Sequence, residues 1–213
     1  PQGGSLIRLQ TDHIQGGSEW GVRAEYVTRQ GKQAYESLGW MNGDVLHVIV
    51  PHGLKVARVR YRESGYDGLP EGEFLCDDAY FNRFWQKGLR TLYVNMRDTY
   101  FDCPDRERAQ WWGDVTVLMG ECFYTYSTRV HDIMRKGMLE LCAFQNDKGI
   151  IHSPIPGNYD SELPAQMLAS VGLYGFWNYY MNTADTATIA RVYPAVCRYL
   201  DVWKTEPGGL TAE

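Results

Sequence analysis

Near residue 70 the apolar pattern of this chain changes its period, which excludes any fold built from one kind of element throughout. Upstream, side chains alternate. Residues 21–28 and 44–50 read as strands, and Leu54, Val56 and Val59 alternate imperfectly with Lys55, Arg58 and Arg60 to give another over 54–61. Pro51, His52 and Gly53 supply a turn, so 44–61 is predicted to form a β-hairpin. So short a stretch of strands leaves open sheet edges. Downstream, Phe81, Trp85, Gly88 or Leu89, Leu92 and Met96 share one helix face, with Asp77 or Asp78 as the cap. Further helices are predicted near Asp114, Val130, Glu162 and Asp185. The last places Ile189, Val192, Val196, Leu200 and Trp203 on one face, stops before Pro207, and is expected to kink or start late at Pro194.

If the helices are paired, their first members begin near 78, 130 and 186, at steps of about 52 and 56 residues. Repeating αα-hairpins follow, each with a face that only a neighbouring hairpin covers. The third pair is unfinished at Glu213, so the chain reads as cut short inside a repeating architecture. The predicted fold is a β-sandwich segment over 1–70, then an all-α part over 71–213, a partial barrel incomplete at the C-terminus.

Composition narrows the function classes. With 21 Lys plus Arg against 26 Asp plus Glu, the net charge of −5 argues against a nucleic-acid binder that works through a basic face. No apolar run approaches the roughly 20 residues of a membrane helix, so no membrane span is expected. The chain opens at Pro1 without a leader, which leaves periplasmic, secreted and cytoplasmic placement equally open. Five cysteines without CxxC spacing argue against a disulfide framework or a zinc knuckle, and most are expected to be small buried hydrophobes. Aromatic residues make up 14% of the chain, a content that suits sugar rings as well as a large core.

Between the first two predicted helices, residues 98–114 crowd Asp98, Asp102, Asp105, Glu107 and Asp114 among Arg106, Arg108, Phe101, Trp111 and Trp112. Binding and catalytic groups concentrate on such loops over rigid scaffolds. Cleaving a glycosidic bond takes one protonated carboxyl for the leaving oxygen, with further carboxylates, Arg and an aromatic face to hold the ring. The loop holds each of these. If 105–108 is extended, Arg106 and Arg108 point away from the side of Asp105 and Glu107. Negative charge from Asp102 and Asp114, with Trp111 or Trp112 limiting water, then favours a protonated Glu107. Three other readings stand beside this one: a solvated ion-pair network with Asp114 as a helix cap, a nucleophilic Cys103 without a nearby His, and a carboxylate metal site of Asp102, Asp105 and Asp114 without EF-hand spacing.

The run Asp102-Cys103-Pro104-Asp105-Arg106-Glu107-Arg108-Ala109-Gln110-Trp111-Trp112-Gly113-Asp114 strongly resembles the motif of the bacterial α-L-rhamnosidases, inverting six-hairpin glycosidases. Residues 72–85 resemble the family's first barrel helix and 61–67 the end of its preceding β-sandwich. The resemblance implies an (α/α)6 barrel of αα-hairpins. It implies Glu107 as general acid, Asp102, Arg106 and Asp114 as groups holding rhamnose hydroxyls, and Trp111 as a pocket wall. Glu162, with Asp160, is the candidate for a second carboxylate zone. No metal and no cofactor is implied, and the partner is a rhamnose-containing oligosaccharide or polysaccharide. The family's base is a Glu in a later hairpin, so the chain is expected to be a fragment, inactive alone, that self-associates through exposed barrel faces. The competing reading is a non-catalytic carbohydrate-binding or interaction module.

Overall fold

The computed structural model describes residues 3–12, 22–157, 163–207 and 209. The chain divides into two compact units. One comprises residues 1–64 and 103–108, the other 65–102 and 109–213.

The first unit is built on three antiparallel strands in the order β2-β1-β3, with β1 at Leu6–Thr11, β2 at Val22–Val27 and β3 at Leu46–Ile49. The registers pair Leu6 with Val27 and Leu9 with both Ala24 and Val48. At one end the Thr28 side-chain oxygen accepts from the Ser5 N–H at 3.0 Å. At the other, Asp12 Oδ1 accepts from the N–H groups of Asp44 and Val45 at 2.9 and 3.1 Å. Gly43 precedes that junction at φ +141°, where a Cβ would stand 2.7 Å from Asp12 Oδ1, so only glycine lets the chain pass.

The hairpin expected over 44–61 does not form. The turn is present, with Leu54 N–H donating to the Pro51 carbonyl at 3.3 Å and Gly53 at φ +88°, but 54–61 is not a strand. Val56, Val59 and Tyr61 are all exposed. Alternation makes a strand only where a partner covers its apolar side, and β3 pairs with β1 instead.

In the second unit the helices begin close to where their caps are written. Helix α1 spans Ala79–Val94, and its cap Asp78 accepts from the Tyr80 N–H at 2.7 Å. Helix α2 spans Trp112–Thr125, and a 3₁₀ turn at Thr128–Val130 leads into α3 at His131–Ala143. Helix α4 at Pro164–Val171, a π-helical turn at Leu173–Trp177 and α5 at Asn178–Thr183 follow end to end, and α6 covers Thr186–Val202. The helix start expected at Glu162 lies outside the described residues. The core joins Leu92, Met96 and Tyr100 to Trp112, Met119, Met134, Met138, Ile155, Met167, Tyr179 and Tyr199.

Two faces differ from the expected ones. On α1 the far end, Leu92 followed by Met96, is buried, whereas Phe81 is exposed. On α6 Val192 is buried and Ile189, Val196 and Trp203 pack against the core as expected, but Leu200 is exposed and the buried line runs through Thr188, Ala195 and Tyr199. Thr188 is buried because its hydroxyl donates to Asp185, an arrangement that apolar periodicity does not register. The helix runs through Pro194, which stands on its exposed side. Only Cys122 of the five free cysteines is buried; the others are partly exposed, against the expectation that most are core residues. Burial pushes the Cys122 and Cys142 thiols up to about 12, which leaves both inert. No helix among the described residues is long and apolar enough to cross a membrane.

Helix α2 packs against α1, α4, the π turn and α5, whereas α3 packs against α6. The π turn is where the Trp177 N–H reaches the Gly172 carbonyl at 3.0 Å. A Cβ on Gly175 would lie 1.9 Å from the Ser170 carbonyl oxygen, so the turn depends on glycine. Gly175→Ala is expected to cost about 1–3 kcal/mol through overpacking, read from the urea midpoint.

The α6 cap, Asp185, accepts from Thr188 Oγ1 at 2.6 Å, Thr188 N–H at 3.0 Å and the Tyr179 hydroxyl at 2.7 Å. These bonds, those of Thr188 foremost, hold its carboxyl at about 2, below the usual 3.8. A depressed carboxylate adds stability above its unfolded value and loses it as pH falls toward the folded one. Asp185→Ala is expected to cost about 1–2 kcal/mol at neutral pH in urea denaturation. It should also flatten the stability loss that the unsubstituted chain shows between pH 3.8 and about 2.

Candidate active site

The sequence-predicted site residues fall into both units. In the helical unit, Asp102 closes the base of the loop: its N–H donates to the Ala109 carbonyl and its Oδ1 accepts from the Ala109 N–H, both at 3.0 Å. Its carboxylate therefore has a structural bond as well as whatever role it takes toward a ligand. Gln110 and Ile155 then bridge in both directions, at 3.2 and 3.3 Å.

Trp111 is the N-cap residue of α2, partly exposed and making no side-chain cap bond, and Asp114 stands exposed in the first turn. Asp114 is thus not the cap. A carboxylate in that turn is favoured by the helix dipole. Trp112, between them, is fully buried, its backbone N–H donating to Ser153 Oγ at 2.9 Å and its ring edge-on to Phe176 at 5.8 Å. Glu162 lies outside the described residues.

Residues 103–108 belong to the sheet unit. Glu107 is clasped from two directions: the Cys103 thiol donates to Oε2 at 3.1 Å, and Arg106 Nη2 binds Oε1. The Glu107 side chain is 26% exposed and that of Arg106 67%. The expectation that Glu107 lacks a neighbouring guanidinium is therefore overturned. The segment is bent, with the Arg108 Nε–H donating to the Asp105 carbonyl at 2.9 Å and Arg108 itself at φ +53°. Alternation applies only to an extended run, so it does not separate Arg106 from Glu107 here.

Two participants were missed by motif reading. Arg23 on β2 binds Asp105 Oδ1 through Nη2 at 2.8 Å, with side chains 8% and 15% exposed. Arg108 stacks over Trp40, 5.0 Å to the ring centroid, and its Nη1 donates to the Trp40 carbonyl at 3.2 Å. These partners lie 82 and 68 residues upstream of the residues they hold, and no local pattern marks them. Cys103 was weighed as a nucleophile; the structure gives it a hydrogen bond to Glu107 instead.

A family model described as the bacterial alpha-L-rhamnosidase 6 hairpin glycosidase domain matches residues 70–212. An alpha-L-rhamnosidase of Formosa agariphila is 25% identical over 131 residues, which cover 58% of this chain and 14% of that protein. A crystal structure of a GH78 family rhamnosidase of Bacillus sp. GL1 superposes with a TM-score of 0.72 at 21% identity, covering 95% of this chain and 22% of that one. The alpha-L-rhamnosidase of Dictyoglumus thermophilum gives 0.59 at 16% identity, covering 94% of this chain and 24% of that one. These structural likenesses carry the fold. The family match extends over more than half of the sequence, and the chain belongs to the bacterial α-L-rhamnosidase six-hairpin glycosidase family.

Proposed function

We propose that the chain is part of an α-L-rhamnosidase that removes terminal α-L-rhamnose from oligosaccharides or polysaccharides with inversion, and that Glu107 is its proton donor. The observation that carries this reading is the complete motif from Asp102 to Asp114 in a family member, with Glu107 largely shielded and its carboxyl gripped at both oxygens. Asp102, Arg106 and Asp114 are assigned to the sugar hydroxyls and Trp111 to the wall against the ring. Glu162 is kept as a secondary binding candidate.

The guanidinium of Arg106 favours an ionised Glu107, whereas protonating a leaving oxygen requires a neutral one. Arg106 stands in solvent, and rhamnose hydroxyls accept from the same N–H groups, so bound substrate competes with Glu107 for it.

Inversion also needs a second carboxylate roughly 6.5–9.5 Å from the first, with water between them. The reading places this base in the part of the relatives' length that the chain does not span. Domain limits of 1–70 for a β-sandwich segment and 71–213 for part of an (α/α)6 barrel belong to the same proposal. Its support is the packing: with residues 164–183 taken as one interrupted helix, α2 packs on that helix and α3 on α6, an alternation that concentric rings require.

Glu107→Gln in the longer protein is expected to lower kcat on an aryl α-L-rhamnoside by about 10²–10⁴-fold while rhamnose binding is mostly retained. Undiminished turnover would sink the assignment. The chain alone is expected to leave that substrate uncut. The Arg106–Glu107 pair favours a second reading, a non-catalytic carbohydrate-binding module. In that case Glu107→Gln should change rhamnose titrations little and the longer protein should not hydrolyse the substrate. Exposed Tyr80, Phe84, Tyr174 and Trp177 give the chain apolar surface, and light scattering is expected to find self-association.

A further inference from the structure

We propose that Arg23 and Trp40 are positioning residues for Glu107, clamping the segment that carries it at two points. This rests on the reading of Glu107 as proton donor. Asp105 and Arg108 flank the Arg106–Glu107 pair in sequence, and each is held by a residue far upstream. Arg23 reaches Asp105 at 2.8 Å in a nearly water-free pair, and its Nε also donates to Thr11 Oγ1 at 2.8 Å. Thr11 is the buried end residue of β1, so the sheet itself aims the guanidinium. Arg108 is held by the Trp40 ring, the Trp40 carbonyl, the Asp105 carbonyl and, at 3.5 Å, Asn42 Oδ1.

The backbone at Arg108 gives an independent sign. At φ +53° it occupies the left-handed region that side chains seldom adopt, and such a conformation persists where its surroundings over-determine it. Here the surroundings are Trp40 and the turn closed onto Asp105. Without them the segment would relax, and the Glu107 carboxyl, immediately before Arg108, would move with it. A displacement on the order of 1 Å at a reacting group costs about 10²-fold in rate.

The clamp is read first without any reaction. A protease specific for Glu cuts the Glu107–Arg108 bond only when the segment opens, and mass spectrometry follows that cut in the chain. Arg23→Met and Trp40→Ala are each expected to speed cleavage about tenfold. The charge-reversed pair Arg23→Asp with Asp105→Arg should return it toward the unsubstituted rate. Equal rates in all four proteins would overturn the clamp.

In the longer rhamnosidase, Arg23→Met is expected to lower kcat about 10–100-fold with KM little changed, and Arg23→Lys to recover part of the loss. An unchanged kcat, or a loss confined to KM, would overturn the positioning role. Hydrolysis that survives Glu107→Gln would remove the proton-donor reading and this role with it, whatever the proteolysis reports about the clamp.

Discussion

Burial of Trp112 is the constraint on which the helical unit depends. Its backbone is pinned on both sides: the N–H donates to Ser153 Oγ at 2.9 Å, and the carbonyl accepts from Ser170 Oγ at 3.3 Å. Ser153 Oγ in turn donates to the Gln110 carbonyl at 3.2 Å. An indole of this kind takes on the order of 150–250 Å² out of water, so the first turn of α2 has one favourable rotation. That rotation puts Val115 and Met119 in the core with Trp112, and leaves Trp111 partly exposed and Asp114 exposed. The adjacent tryptophans have opposite fates because the helix can bury only one of them.

The same anchoring sets the ends of the motif loop. Asp102 and Ala109 join by two bonds, so residues 103–108 leave and re-enter the helical unit at one place. What lies between is therefore free of the helix geometry and is folded by other partners, those of the sheet unit. A loop built in this way can carry a reacting group without straining either helix. It also puts the shape of the segment under the control of residues that the motif does not contain.

Helix starts were legible because they are local: Asp78 and Asp185 cap where their side chains reach the next turn, and both bonds form. The cluster at 98–114 was legible for the same reason. Four features were not. The run 54–61 carries the alternation of a strand, but a strand requires a partner, which periodicity cannot supply. The buried face of α6 is wider than its apolar residues show, because Thr188 and Tyr199, whose polar atoms weaken an apolar signal, also lie in it. Arg106 lies beside Glu107 because the chain bends at residues 104–106, and alternation assumes an extended run. Arg23 and Trp40 were invisible because contact across 82 and 68 residues leaves no mark on either neighbourhood.

The segment holds two ion pairs of opposite kind. Arg23–Asp105 is shielded, at 8% and 15% exposure, and losing one member of a buried pair costs about 3–5 kcal/mol. Arg106–Glu107 is shielded only on the Glu side, its Arg member standing in solvent. The first pair fixes the backbone of the segment, whereas the second keeps one member within reach of a ligand. If Glu107 is the proton donor proposed above, it needs both: a rigid mount, and a counter-charge that substrate can draw away.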